Sequence, residues 1–133
     1  MGRTGVAFIY GPPAAWSDDM LTLNRSAIRV IAKQPLVDWL QSTDPGEPAM
    51  TLEEANDEPS IYLIPECEDD QEFAEQLNEV FPAIFEAELE GWDIDRDQWP
   101  QKRGFEIFCE WFDCQFHSML VDLSEDPLDY SDL

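Results

Sequence analysis

The stretch from Asp69 to Glu90, "DDQEFAEQLNEVFPAIFEAELE", constrains the fold more than any other part of the chain. Phe73, Leu77, Val80, Phe81, Ile84, Phe85 and Leu89 recur at helical spacing and form one apolar stripe, while Glu72, Glu75, Glu79, Glu86 and Glu90 lie mostly off it. A stripe of that width must be buried, so another layer of structure has to meet it. Pro82 removes one ladder hydrogen bond and pushes Phe81 away from helical angles. The stripe keeps its phase across the proline, which predicts one kinked helix.

The opposing layer is legible as strands. In "SAIRVIAK", Ala27, Arg29 and Ile31 alternate with Ile28, Val30 and Ala32, and this period of two predicts a strand over 26–33. Pro35 suits a first helical turn, and Leu36, Trp39 and Leu40 predict a short helix ending before Asp44 and Pro45. After the loop "DPGEPAM", Thr51 and Glu54 have the spacing of a reciprocal cap and predict one helical turn. "SIYLIP" reads as a second strand stopped by Pro65. Beyond Gly91, the spacing of Phe105, Phe108, Cys109 and Phe112 predicts a further helix with Cys109 packed in the core, and "FHSMLVDLS" predicts a third strand over 115–123.

The order β-α-(α)-β-α-α-β points to an α+β fold, a small and roughly three-stranded sheet covered on one face by helices. A chain of 133 residues suits one domain. We place it at 21–127, with 1–20 as a loosely attached extension and 128–133 as an acidic tail. The apolar patch before Pro12 and Pro13 is too short for a membrane helix. An exposed sheet edge would allow pairing into a homodimer.

Charge narrows the function. The chain carries 30 acidic against 7 basic residues, a net charge of -23. Only Asp18 and Asp19 of the acids precede residue 34, so 28 carboxylates face Arg96, Lys102 and Arg103 over the remainder. Such a surface repels nucleic acid and anionic membranes and attracts cations or basic proteins. Solubility, or a salty cytoplasm, would also account for it. The acids concentrate in "ECEDDQE". One or two carboxylates are favourable at a helix start, but Glu66, Glu68, Asp69, Asp70 and Glu72, followed by Glu75 and Glu79, exceed that need. We read these seven as a candidate face for a basic protein partner.

The run "FEIFCEWFDCQFHSML" raises other chemistries. In a helix Cys109 and Cys114 would lie about 140° apart, and in a strand Cys114 and His117 would point to opposite faces. Neither arrangement gathers zinc ligands, and no metal or cofactor is expected. A thiol nucleophile would need the fold to bring Cys67 to His117, and the surrounding carboxylates would oppose a thiolate. Asp93, Asp95 and Asp97 mimic the start of a calcium loop, but Gln98 stands where glycine is needed and Gly104 where a bidentate glutamate is needed. The plainer reading is an acidic turn in which Asp97 caps a helix begun by Trp99 and Pro100. Nucleotide-binding and hydrolase signatures are absent from the sequence. Three cysteines without repeated spacing read as reduced thiols of a cytoplasmic protein.

The runs "LNRSAIRVIAKQPLVDWL", "IYLIPE" and "FHSMLVDLS" resemble a group of small, acidic, uncharacterised bacterial proteins. The resemblance spans about residues 21–127 and implies no activity and no catalytic residue. Two functions follow as expectations. The first is a cytoplasmic interaction module presenting its carboxylates to a basic protein. The second is a small enzyme or small-molecule binder with an aromatic pocket formed by Trp39, Trp92, Trp99, Trp111 and His117.

Overall fold

The computed structural model describes residues 21–48, 50–92 and 94–132. The expected extension, 1–20, lies outside them. The elements run β1 (Leu21–Thr22), β2 (Ser26–Ala32), α1 (Gln34–Thr43), α2 (Leu52–Ala55), β3 (Ile61–Ile64), α3 (Asp70–Gly91), a 3-10 turn (Arg96–Gln98), α4 (Phe105–Trp111), β4 (Phe112–His117) and β5 (Val121–Asp122). β2 is the centre of an antiparallel sheet ordered β3-β2-β4, and β1 pairs with β5 in a separate two-stranded ribbon.

Alternation along β2 decides which side of the sheet is covered. Ile28 stands opposite Tyr62 and Phe116, Val30 opposite Cys114, and Ala32 opposite Phe112. These side chains share one face. There they join Leu36 of α1, Phe73, Leu77, Ile84, Phe85 and Leu89 of α3 and Phe108 of α4 in a single core. Phe85 packs edge-on against Phe108, Trp111 and Phe112, with ring centres 5.7 Å away in each case. Burying a side chain of that size contributes about 1.5–3 kcal/mol. The other face carries Arg29, Asp113, Gln115 and His117 beside Ile61 and Leu63, which are 62% and 52% exposed. This is the α+β layer expected, and among the described residues the helices of the core lie on one side of the sheet.

α3 runs without interruption through Pro82, which sits exposed on its outer side. Two boundaries depart from expectation. The third strand begins at Phe112, not 115, because the chain around Lys33 fixes the end of α4: the Lys33 amide donates to the Trp111 carbonyl at 2.8 Å, and its ammonium donates to the Cys109 carbonyl at 2.9 Å. Phe112 therefore belongs to the sheet, and Cys109 is exposed, its backbone serving as the contact. The strand also stops at His117. Ala27 pairs with His117 and Thr22 with Val121, so one side holds a residue more than the other between the two pairs. A one-residue slip of this kind breaks a ladder and reverses which side chains face in.

The segment after α3 also differs. Trp99 and Pro100 do not begin a helix. Trp99 is extended at ψ 151°, as expected for a residue before proline, and α4 starts only after Gly104. Asp97 lies within the 3-10 turn instead of capping a helix.

Candidate functional site

All seven acidic residues singled out near the start of α3 are exposed, but two serve the helix itself. The first amides of a helix need acceptors. Asp69 accepts from the Glu72 amide at 2.9 Å, and the Glu72 carboxylate accepts from the Glu68 amide at 2.8 Å. The carboxylates of Glu66, Glu68, Asp70, Glu75 and Glu79 make no hydrogen bond or ion pair among the described residues.

At about 100° per residue, Glu72, Glu75, Glu79, Glu86 and Glu90 share an arc of roughly 60°. The C-terminal part of this row holds a cation. Arg96 Nη2 is 2.9 Å from Glu90 Oε1, and Nη1 is 3.7 Å from Glu86 Oε1. The same guanidinium lies 4.6 Å from the centre of the Trp99 ring. Glu75 and Glu79 repeat the spacing of Glu86 and Glu90, and no cation joins them among the described residues.

The aromatic residues have separate surroundings. Trp111 packs on Trp39 with ring centres 5.2 Å apart. Trp99 is buried, and its indole N–H donates to the Ile94 carbonyl at 3.0 Å. His117 is exposed on the face of the sheet away from this core, opposite Ala27. Trp92, the C-cap of α3, lines a cavity of about 300 Å³. Of the five residues singled out for a pocket, it alone borders this space.

That cavity lies between the end of β2, the 54–60 segment and the last turn of α3. Val30 and Ala32 contribute apolar surface, while Glu54, Asp57, Glu58 and Glu88 contribute carboxylates; among the described residues no Lys, Arg or His borders it. The segment is pinned from both ends. Glu54 closes a reciprocal cap with Thr51, and that bond holds its carboxyl below the usual range. Asn56 then pairs with Ala32 like one residue of a strand, its carbonyl accepting from the Ala32 amide at 2.7 Å and its amide donating to the Ala32 carbonyl at 3.0 Å. Glu88, half-buried, accepts from the Tyr62 hydroxyl at 2.5 Å. Burial, then the bond to Glu88 and its charge, hold the Tyr62 hydroxyl protonated well above the ordinary tyrosine range.

Glu88 and Asn56 were not among the residues singled out from sequence. Glu88 had a signal: it falls inside the apolar arc of α3, between Phe73 and Phe85 on the helical wheel, where a glutamate is costly unless it has a task. Asn56 had none, because its partner is 24 residues away.

The thiols are arranged against nucleophilic chemistry. Cys67 is buried, donating through its amide to Ser26 Oγ at 2.9 Å and through its thiol to the Pro65 carbonyl at 3.4 Å. Ser26 ties it to the helix-covered side of the sheet, whereas His117 stands on the other. Desolvation and then Glu72 and Asp69 push the Cys67 thiol up. Cys114 is pushed up to about 11, chiefly by burial, with Asp113, Cys109 and Glu88 adding to it. Cys109 is raised by desolvation, which the Lys33 ammonium opposes. A thiol kept neutral is a poor nucleophile at neutral pH.

Among the described residues, no group of three His, Cys, Asp or Glu side chains converges to hold a metal, and no helix is long and apolar enough to cross a membrane. Of the acidic turn proposed as a calcium mimic, Asp93 lies outside the described residues, and Asp95 and Asp97 are exposed. Comparison of the chain with protein-family models, curated proteins and solved structures gives no match.

Proposed function

We propose that this protein is an interaction module of the cytoplasm that docks a basic protein partner on the exposed carboxylates leading into α3 and along its first turns. The observation that carries this reading is the surplus of Glu66, Glu68, Asp70, Glu75 and Glu79: exposed, unneeded by the helix cap, and without a cation among the described residues. Crowding carboxylates this way opposes folding unless something outside the chain neutralises them. Arg96 supplies a template for the recognition, since its guanidinium spans two glutamates one helical turn apart. Arginines of a partner would meet the pair Glu75 and Glu79 in the same manner, through charge-assisted bonds that suit a planar fork. The field that draws such a partner repels nucleic acid and anionic membranes. The three unpaired cysteines suit a reducing compartment.

The test is affinity capture from native cytosol with three baits. One is the unaltered protein; the second carries Glu66→Gln, Glu68→Gln, Asp70→Asn, Glu75→Gln and Glu79→Gln. The third neutralises Glu106, Glu110, Glu125, Asp126 and Asp129, which removes equal charge elsewhere. A basic protein held by the first and third baits, lost from the second and released by about 0.5 M salt, is the expected result. Equal retention by all three, or binding indifferent to salt, overturns the reading.

A further inference from the structure

We propose that the cavity beside Glu88 is a binding site for a small aliphatic di- or polyamine, distinct from the docking row on the outside of the same helix. The geometry of the C-terminal end of α3 carries the inference. A helix end is the negative pole of the backbone dipole and favours a cation, yet the last turn of α3 has no basic residue and carries Glu88 and Glu90. Among the described residues this is answered on one side only. Arg96 returns to Glu86 and Glu90. Glu88 lies about 200° round the helix from Glu86 and Glu90, half-buried in the cavity, and among the described residues its one hydrogen-bonding partner is the neutral hydroxyl of Tyr62.

The remaining walls specify the rest of the ligand. One carboxylate oxygen of Glu88 is taken by Tyr62, and the other is left for an ammonium group entering the cavity. Val30, Ala32 and Trp92 offer apolar surface for a short methylene chain. Asp57 and Glu58, both exposed at the edge of the same space, receive a second ammonium. With carboxylates on the walls and no bordering base among the described residues, an anionic or zwitterionic acid is disfavoured. A volume near 300 Å³ is at the small end of ligand sites and fits a slender chain. Asn56 and the Thr51–Glu54 cap hold the 54–60 wall in place without the ligand, so the site is formed in advance.

Binding of spermidine and of 1,4-diaminobutane to the full chain, measured by titration calorimetry at moderate salt with magnesium chloride as the comparison cation, tests the proposal. We expect one saturable amine site, weakened about tenfold or more by Glu88→Gln, which keeps an acceptor for Tyr62 but removes the charge. The pair Glu75→Gln and Glu79→Gln should change it less than about twofold, since those charges lie well beyond a Debye length along the helix. Amide shifts of the unaltered protein provide a second readout that does not depend on a variant folding. Changes confined to residues 54–60 and 88–92 support the site. Changes spread along 66–79, an equal loss with both sets of variants, magnesium binding as tight as spermidine, or no saturable binding overturns it.

Discussion

At Asn56, one side-chain amide satisfies both backbone groups of Ala32, at the point where β3 no longer flanks β2. Truncation would strand two polar groups beside the core, so Asn56→Ala should lower stability by about 1–3 kcal/mol, seen as a lower urea midpoint with an unchanged slope. Tyr62 makes a prediction in pH. Its folded pKa is raised above the unfolded value of about 10. The contribution to stability is therefore complete below about pH 10 and declines as pH rises beyond it, because the unfolded chain gives up the proton first. In an alkaline titration followed by tyrosinate absorbance, one hydroxyl should ionise above the ordinary range, coincident with unfolding. Tyr62→Phe should abolish that late step and leave stability less dependent on pH in that window. A Tyr62 that titrates near pH 10 in the folded protein would remove the basis for placing it against Glu88. These residues were poorly legible in the sequence for a physical reason. Tyr62 and Glu88 meet across 26 positions and Asn56 and Ala32 across 24, and no local period records such pairings. Only Glu88 announced itself, as a charge among Phe73, Leu77, Ile84 and Phe85.

Elements were legible where one period dominated. β2 alternates from Ile28 to Ala32, and α3 holds a period of 3.6 over 22 residues. The run from Phe105 to His117 satisfies both templates, since Phe105, Phe108 and Phe112 fit a helix while Phe112, Cys114 and Phe116 fit a strand. The tie is broken by tertiary contacts, the Lys33 bonds to Trp111 and Cys109 and the pairing of Ala32 with Phe112, and these are invisible to periodicity. The ribbon of β1 and β5 was hidden in the same way, because a register slip interrupts what reads as one alternation. α3 also allows an elemental test. Pro82 withholds one hydrogen bond and crowds the preceding turn, at a cost of about 3 kcal/mol in a helix interior. Its ring is exposed and contributes little packing, and its restriction of the unfolded chain returns up to about 1 kcal/mol. Pro82→Ala should accordingly raise stability by about 1–3 kcal/mol in chemical denaturation. A lower midpoint would mean that the proline sets a bend on which the seating of Phe81 and Phe85 against α4 depends.

For the molecule as a whole, a net charge of -23 opposes compaction, because folding brings together carboxylates that the extended chain holds apart. Arg96 relieves Glu86 and Glu90, while the carboxylates from Glu66 to Glu79 have no such relief among the described residues. Repulsion between exposed charges weakens as the Debye length falls, from about 30 Å at 0.01 M salt to about 10 Å at 0.1 M. The melting temperature should therefore climb as sodium chloride is raised from about 0.01 M to about 0.5 M, most steeply at the low end. The five substitutions at Glu66, Glu68, Asp70, Glu75 and Glu79 should raise it at low salt and flatten its dependence on salt. Matched neutralisation at Glu106, Glu110, Glu125, Asp126 and Asp129 should do less, since those acids are divided between α4 and the C-terminal segment. Equal gains from both sets would show that the strain is spread over the whole surface and that the α3 row is not specially repulsive. A larger gain from the first set would locate the repulsion on the row itself, where a basic partner would relieve it on binding and stabilise the complex through the charges that weaken the free chain.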